Sequence, residues 1–550
     1  MCGIFAAVSH QKTDLVKWFQ DCYELTHRGP DNTYFETYQN VIIGFHRLAI
    51  MDDTFHSNQP FILEDDQRTV IFICNGEIYN FKELIVEHSL SSSIKNDCMV
   101  LPEIYMKLVR EGAEGEFRSI VRNEVKGEYA FVLFEFDRLK NLKKVIACRD
   151  EIGIRPLYVS QSDDILVFTS ELKGALHYPG AMLEFPPGMM HIYHMNELGR
   201  THCEYLPCDT LFRWSMRDNI DHLISVRDAV MNSVRRRLAA DKPIAWLLSG
   251  GVDSSLVAAL SAKMLGKRIR TFCCGMNEGT DLIHARAVAK HIGSNHTEVY
   301  FTPEEGLAAI DDVIRTIESW DTTTVRASVG QYLVSKFIGT QTDCKVVMVG
   351  EGPDEVCSSY LFNWYAPSGA ALDASAKEYV KNIHYYDVKR ADRCIARWGL
   401  EGRVPLLDPE FIGAYWAIPA EQRMPTYKKM EKWWLREAFA RTGLLPDSVL
   451  WRKKEAFSDG VSGQKSWFQI IQEWIDDKVT DEELASAAET YPYCTPSTKE
   501  AYYYRKVFCK WFGAHRQEVI PGYWQPKWSA NGVEVKGYID PSARVLDVYE

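Results

Sequence analysis

The first 195 residues alternate short apolar runs with polar turns. Runs at 41–45, 70–74, 129–136, 144–148 and 165–168 have the length and the β-branched and aromatic content of strands. Helical spacing appears at 14–26 and at 97–110, the latter with Pro102 in its first turns. Many strands and few helices predict stacked sheets flanked by helices. From 196 to 222 the periodicity weakens and polarity is mixed, so this stretch reads as a linker.

From 223 onward the pattern changes. Residues 223–238 have helical spacing and end in Arg235-Arg236-Arg237, cations that complement a helix C-terminus. A buried-strand run at 244–248 meets a glycine turn and a helix at 254–265. A strand at 268–274, a helix at 281–292, a strand at 297–301, a helix at 303–318 and a buried strand at 345–349 follow. Such alternation predicts a doubly wound parallel sheet. Beyond about residue 375 the pattern is mostly helical and rich in aromatics. The expected class is α/β and α+β. The expected domains are 1–195 and 223–550, the second with a helical C-terminal part.

Composition narrows the function. Acidic residues outnumber basic ones and leave a net charge of -12 over 550 residues. Such a chain lacks the field that drives nonspecific nucleic-acid binding, though local cations can still hold phosphates. No run of 18 apolar residues suggests a membrane span. The apolar run Ile4-Phe5-Ala6-Ala7-Val8 is too short for a secretion signal, and Val548-Tyr549-Glu550 matches no sorting address. The 14 cysteines include no Cys-x-x-Cys pair, which reads as a reduced, cytoplasmic protein without a disulfide framework or zinc module.

Cys2 stands apart. With Met1 removed it would carry a nucleophile and a base on one residue, since an α-amino group titrating near about pH 8 can take the proton of a thiol titrating near about 8.5. One residue is weak evidence, and its surroundings strengthen it. His27-Arg28-Gly29-Pro30-Asp31, Arg47-Leu48-Ala49-Ile50-Met51-Asp52 and Asn75-Gly76-Glu77-Ile78-Tyr79-Asn80 mostly border strand-like runs. Arg47 would hold an α-carboxylate, and Glu77 and Asp97 an α-ammonium. The Asn75 amide and the Gly76 N–H would form an oxyanion hole. Taken singly, Glu77 or Asp97 would be a surface charge and Asn75-Gly76 a plain turn.

Together these pieces resemble the class II glutamine amidotransferase domain of the N-terminal-nucleophile hydrolases. The resemblance implies an αββα sandwich. It implies that Cys2 attacks the glutamine side-chain amide, forms a thioester and releases ammonia. It assigns Asn75 and Gly76 as oxyanion donors, and Arg47, Glu77 and Asp97 with the backbone around Ile50 and Met51 as glutamine contacts. His46 stands where the pattern has Glu, and Lys95-Asn96-Asp97 where it has Gly-Ser-Asp.

In the second half, Ser249-Gly250-Gly251-Val252-Asp253-Ser254-Ser255 follows a buried strand and opens a helix. Glycines admit an anion close to the backbone, the helix N-terminus offers free N–H groups, and Ser254 and Ser255 add hydroxyls. Asp253 could hold Mg²⁺ against phosphates. The segment resembles the pyrophosphate loop of ATP pyrophosphatases. A Gly-Lys-Ser/Thr loop is absent, so the chemistry expected is adenylation rather than phosphorylation. Val349-Gly350-Glu351-Gly352-Pro353-Asp354-Glu355 follows another buried strand. Lys454 lies in the basic stretch Trp451-Arg452-Lys453-Lys454-Glu455, where it could stabilise charge on an α-phosphate.

Almost end to end, the chain resembles the glutamine-hydrolysing asparagine synthetase family. Segments 321–328, 397–408, 457–461 and 495–502 add to the match. The resemblance implies the reaction aspartate + glutamine + ATP to asparagine + glutamate + AMP + PPi. The chemistry asks that ammonia pass inside the protein, since free ammonia would be protonated and lost in water. The resemblance also implies adenosine contacts at Leu247, Cys274, Val349 and Gly350. It implies a pyrophosphate grip by Ser249, Gly250, Gly251, Asp253, Ser254 and Ser255. Glu351 and Lys454 would act at the aspartyl-adenylate step, Thr323, Thr324, Arg326 and Asp387 would line the acceptor and phosphate site, and Asp253 and Asp354 would hold Mg²⁺. Val349, Pro353 and Cys357-Ser358-Ser359-Tyr360 depart from the family pattern, the last replacing a glycine-bearing stretch. The partners expected are glutamine, aspartate and ATP, with neither nucleic acid nor membrane; a homodimer is left open. The rival readings are a β-lactam synthetase, whose amidotransferase half lacks the nucleophile, a glutamine-dependent amidotransferase for another carboxylate, and a non-catalytic binding relative.

Overall fold

The computed structural model describes residues 1–9, 14–162, 165–196, 199–208, 211, 221–277, 279–454, 461–462 and 465–536. Of the sequence expectations, Glu455, residues 457–460, 548–550 and parts of 196–222 (197–198, 209–210 and 212–220) lie outside the described residues. The chain forms two compact units, residues 1–210 with 239–242, and residues 211–238 with 243–550.

Two six-stranded antiparallel sheets build the first unit. One contains β1 (Gly3–Ser9), β2 (Asn32–Tyr38), β3 (Val41–Arg47), β8 (Tyr158–Gln161), β9 (Ile165–Thr169) and β10 (Leu183–Glu184), in the order β10-β8-β9-β1-β3-β2. The other contains β4 (Phe61–Glu64), β5 (Arg68–Ile78), β6 (Gly127–Asp137), β7 (Leu142–Arg149), β11 (Met189–Asn196) and β12 (Gly199–Pro207), in the order β12-β11-β7-β6-β5-β4. Strand alternation sends Ile4, Ala6 and Val8 of β1 and Ile71 and Ile73 of β5 into one inter-sheet core. From the opposite face of β5, Val70, Phe72 and Cys74 pack with Leu101, Ile104 and Tyr105 of helix α3 (Val100–Arg110), beside α2 (Phe81–Glu87) and α4 (Phe117–Asn123). On the far side of the first sheet, Phe5 meets Trp18 of α1 (Leu15–Tyr23) at 5.5 Å between ring centroids. Burial of each such large side chain contributes about 1.5–3 kcal/mol. The layering is helix, sheet, sheet, helix, as expected.

The structure revises two readings of secondary structure. Residues 199–207, taken as part of a linker, form edge strand β12 paired along β11. Polar His202 and Glu204 break its hydrophobic run, while Cys203 and Leu206 face the cores on either side of the sheet. Residues 303–318 form two helices instead of one, α8 (Pro303–Ala308) and α9 (Ile310–Ile317), which meet at Ala309.

The second unit is a five-stranded, wholly parallel sheet of β13 (Ile244–Leu247), β14 (Arg270–Gly275), β15 (Asn295–Tyr300), β16 (Val346–Met348) and β17 (Glu401–Arg403). Its order is β15-β14-β13-β16-β17. The chain winds outward from β13 through α6 (Val252–Leu265) and α7 (Thr280–Ile292), then returns through α10 (Thr322–Gln341) to β16 on the other side of β13. Right-handed crossovers therefore place α6 and α7 on one face, and α10 and α13 (Asp387–Ala396) on the other. The direction of winding reverses between β13 and β16. A parallel sheet opens a ligand crevice at the strand C-termini at such a switch point. Helix α5 (His222–Arg237) precedes the sheet, and helices α11 (Pro353–Val356) and α12 (Gly369–Asn382) lie between β16 and α13. No described helix is long and apolar enough to cross a membrane.

Candidate active sites

In the first unit, antiparallel pairing sets Gly3 opposite His46, which brings Cys2 at the start of β1 beside Arg47 at the end of β3. The second sheet reaches the same place through a hydrogen bond: the Cys2 N–H donates to Asn75 Oδ1 at 2.8 Å. That bond settles the orientation of the Asn75 amide. Its Nδ2 is buried and has no partner among the described residues. A buried amide donor left unmet costs about 1–3 kcal/mol, so its retention points to a ligand that uses it. Gly76 admits no side chain, since a Cβ would lie 2.6 Å from the Glu128 carbonyl oxygen.

Asp97 is drawn to the same strand end. Its Oδ2 accepts the Ile78 N–H at 2.7 Å, and the Cys98 thiol donates to the Gly76 carbonyl at 3.4 Å. Glu77 is buried beside them. Arg47 is held in place by the Thr54 carbonyl at 2.8 Å, Asn58 Oδ1 at 2.7 Å, the Met51 carbonyl at 3.4 Å and the Asp52 carbonyl. Thus Cys2, Arg47, Asn75, Gly76, Glu77 and Asp97 come together at adjoining strand ends, with Ile50 and Met51 on the loop after β3. The motif at 27–31 serves as framework. Arg28 Nε donates to the Cys2 carbonyl at 2.9 Å and its Nη1 pairs with Glu171 at 2.5 Å. Asp31 accepts the Ala49 N–H at 2.8 Å. Burial would raise the Glu171 carboxyl, but Lys173, His27 and Arg28 outweigh it and hold the group well below the usual carboxylate range.

In the second unit, the expected loops flank the switch point. Gly250 takes φ of 74°, and a Cβ there would lie 2.4 Å from His284 Cβ. Ser249 Oγ and Ser254 Oγ meet at 3.0 Å, and Ser249 Oγ accepts the Gly251 N–H at 3.3 Å. Gly350, after β16, has no room for a side chain because Ser254 N would sit 2.6 Å from its Cβ. The two loops are therefore packed back to back.

A chain of alternating charges crosses this crevice. Lys432 Nζ bridges Asp253 at 2.5 Å and Asp354 at 2.6 Å, and Lys454 Nζ holds the other oxygen of Asp354 at 2.5 Å. Burial would raise Asp354, but the two ammonium groups hold it far below the usual range. Behind it, Arg390 joins Glu351 at 2.9 Å and Asp387 at 2.5 Å. Burial pushes the Glu351 carboxyl up to about 7, with repulsion from Asp387 and Asp354 opposing the pull of Arg390. Glu355, raised by burial and by the same two aspartates, accepts the Tyr360 hydroxyl at 2.5 Å.

Leu247, Ser249, Gly251, Asp253, Ser254, Cys274, Thr323, Arg326, Val349, Gly350, Glu351, Asp354, Asp387 and Lys454 all line one crevice. Gly250, Ser255 and Thr324 do not. Gly250 turns the chain, and Ser255 is fully buried in α6. Thr324 donates its hydroxyl to Asp321 at 2.6 Å, within the cap of α10. Arg326 lines the crevice while its Nε and Nη2 grip Glu500 at 2.8 and 2.7 Å. Sequence reasoning missed Lys432 and Arg390. No motif flags either residue, since Lys432 follows Lys428-Lys429 and reads as part of a charged surface.

Two family models match: glutamine amidotransferase domain over residues 1–208, and asparagine synthase over 225–378 and 367–536. The chain is 38% identical over 581 residues to the asparagine synthetase [glutamine-hydrolyzing] of Gallus gallus, covering 100% of this chain and 99% of that one. That of Homo sapiens is 38% identical over 586 residues, with the same coverage. The chain belongs to the glutamine-hydrolysing asparagine synthetase family. A solved glutamine phosphoribosylpyrophosphate amidotransferase from B. subtilis superposes with a TM-score of 0.31 at 17% identity, covering 54% of this chain and 81% of that one, too slight a likeness to carry weight.

The departures from the asparagine synthetase pattern have local explanations. His46 is fully buried; its Nε2 faces the Cys22 carbonyl at 2.8 Å and its Nδ1 the Thr33 hydroxyl at 3.0 Å. Burial lowers it to about 4, so it stays a neutral imidazole. Asn96 caps the turn that carries Asp97, its Oδ1 accepting the Cys98 N–H at 3.0 Å. Pro353 is the first residue of α11, where an N–H has no intrahelical partner. Ser358 sits at φ of 54°, in the left-handed region that favours glycine.

Proposed function

We propose that this chain makes asparagine from aspartate, with glutamine as nitrogen donor and ATP as the activating substrate, through β-aspartyl-AMP. The observation that carries this reading is a conjunction. One chain holds Cys2 bonded to Asn75 beside a fixed arginine, and a pyrophosphate-type loop facing Glu351, Asp354 and Lys454 across a switch-point crevice.

In the glutaminase half, the amine of Cys2, exposed once Met1 is removed, takes the thiol proton. The thiolate attacks the glutamine amide carbon, and Asn75 Nδ2–H and the Gly76 N–H donate to the oxyanion. Arg47 pairs with the α-carboxylate, Glu77 and Asp97 with the α-ammonium. The C–N bond breaks, the amine returns its proton, and ammonia leaves. Water then hydrolyses the thioester to glutamate.

In the synthetase half, Leu247, Cys274, Val349 and Gly350 contact adenosine, while the loop 249–255 and Lys454 gather the phosphate charge. An oxygen of the aspartate β-carboxylate attacks the α-phosphorus and pyrophosphate departs. Lys432 adds a second cation beside that charge. Asp253 and Asp354 suit Mg²⁺, a hard cation that binds oxygen ligands together with phosphates; Asp253 Oδ1 is buried and unpartnered among the described residues. When bound, Mg²⁺ would neutralise developing pyrophosphate charge. Ammonia then attacks the acyl carbon, Glu351 takes its surplus proton, and AMP leaves. A carboxyl titrating near the working pH fits that exchange. Thr323, with a buried hydroxyl lacking a partner among the described residues, and Arg326 line the acceptor side.

We place the protein in the cytoplasm, a reading supported by fourteen cysteines without a disulfide. The deciding assay is pyrophosphate release with ATP and Mg²⁺, with and without aspartate. Release should require aspartate. Release without aspartate, or none at all, would overturn the reading.

A further inference from the structure

Away from both sites, three metal-ligating side chains meet on the edge of the first unit. His194 of β11 and His202 of β12 are directly opposed across the strands. Their rings stack with centroids 4.1 Å apart and planes 6° apart. Glu204, two residues beyond His202 and therefore on the same face, brings Oε1 to 2.7 Å from His194 Nε2 and 4.0 Å from His202 Nε2. One ligand atom from each lies within 4.8 Å of the other two, and no other His/Cys/Asp/Glu group of three is gathered so among the described residues.

The backbone favours this convergence. The β11–β12 register shifts between His194 and Met195, and such bulges re-aim side chains at sheet edges. β12 is the edge strand, and His202 and Glu204 are exposed, so outer coordination positions stay open to water. Lys144 is opposite His194 on the inner side, but its ammonium is held by Glu114 at 2.8 Å and Glu135 at 3.6 Å. Two imidazoles and a carboxylate are a zinc-type donor set, with bonds of about 2.0–2.2 Å that modest turns of these side chains would supply. The set differs in kind from the all-oxygen pair Asp253 and Asp354, because imidazole nitrogen favours Zn²⁺, Ni²⁺ and Cu²⁺ over Mg²⁺.

We infer that His194, His202 and Glu204 form a binding site for a divalent transition metal of the Zn²⁺ type, which clasps edge strand β12 to β11. Calorimetric titration of the untagged full chain with Zn²⁺ should show one saturable equivalent that is weakened in His194→Ala and in His202→Ala. Each substitution should weaken it by at least about tenfold, the lower range for loss of even an outer-shell partner. Co²⁺ in place of Zn²⁺ should give d–d absorption without the sulfur-to-metal band that cysteine ligation would add. His202→Gln, with glutamine hydrolysis by its own unit unchanged, separates loss of the ligand from loss of the fold. No saturable equivalent, a loss under tenfold in either alanine variant, or a sulfur band would overturn the assignment.

Discussion

The two candidate sites solve opposite electrostatic problems. Around Cys2 the chemistry rests on backbone and amide groups at the ends of antiparallel strands, and the cation expected to meet the glutamine α-carboxylate, Arg47, is held by four oxygens before any ligand arrives. At the β13/β16 switch point, carboxylates and ammonium groups alternate and satisfy one another, Asp253 to Lys432 to Asp354 to Lys454. The first site is pre-organised and needs only to receive its amide. The second is a charge network that must exchange internal partners for phosphate. Here the site for a neutral amide substrate is built rigid, and the site for a polyanion holds its cations in reserve.

The sharpest way to break this contrast is Cys2→Ala. Glutamine-dependent synthesis should vanish while ammonia-dependent synthesis survives; continued use of glutamine would remove Cys2 from the mechanism. Next in size, Glu351→Gln should cut ammonia-dependent synthesis by ~10²–10⁴ and leave glutaminase activity alone. Because the Glu351 carboxyl lies near 7, synthesis should rise as pH climbs through that value and the base loses its proton. The glutamine variant should lack this limb, and an unchanged pH profile would assign the limb elsewhere. Asn75→Ala should lower glutaminase kcat by ~10²–10³ with a small effect on ammonia-dependent synthesis. If only KM changed, Asn75 would be a binding group and not an oxyanion donor. Smallest is Ser358→Gly, which should raise unfolding free energy by about 1 kcal/mol, since it relieves a left-handed backbone and removes a buried hydroxyl with no partner among the described residues. Chemical denaturation would measure it, and a loss of stability would contradict the strain argument.

Legibility in the sequence followed the same divide. The loop 249–255 could be read because strand, glycine turn and helix N-terminus are contiguous, and the strand–helix alternation after residue 244 announced the parallel sheet. The pairing of Asn75 with Cys2 spans 73 residues and is made by two sheets meeting, so only resemblance could join those residues. Lys432 was illegible because its identity as a buried bridge depends on what α6 and the 350–355 loop place around it. Thr324 was assigned to the acceptor site by resemblance alone; the local signal for its part in the helix cap is Asp321, three residues earlier, which accepts the Thr324 hydroxyl. Strand β12 was hidden because an edge strand with a solvent face need not carry a hydrophobic run.

The back-to-back packing of Gly350 on Ser254 constrains anyone who would redesign this protein. Libraries diversified at position 350 should return glycine alone, since every other residue drives a Cβ into the backbone of the opposing loop. Retargeting the enzyme to a longer or shorter acceptor by resculpting 350–355 would also displace the first turn of α6, so nucleotide affinity and acceptor preference should be selected together.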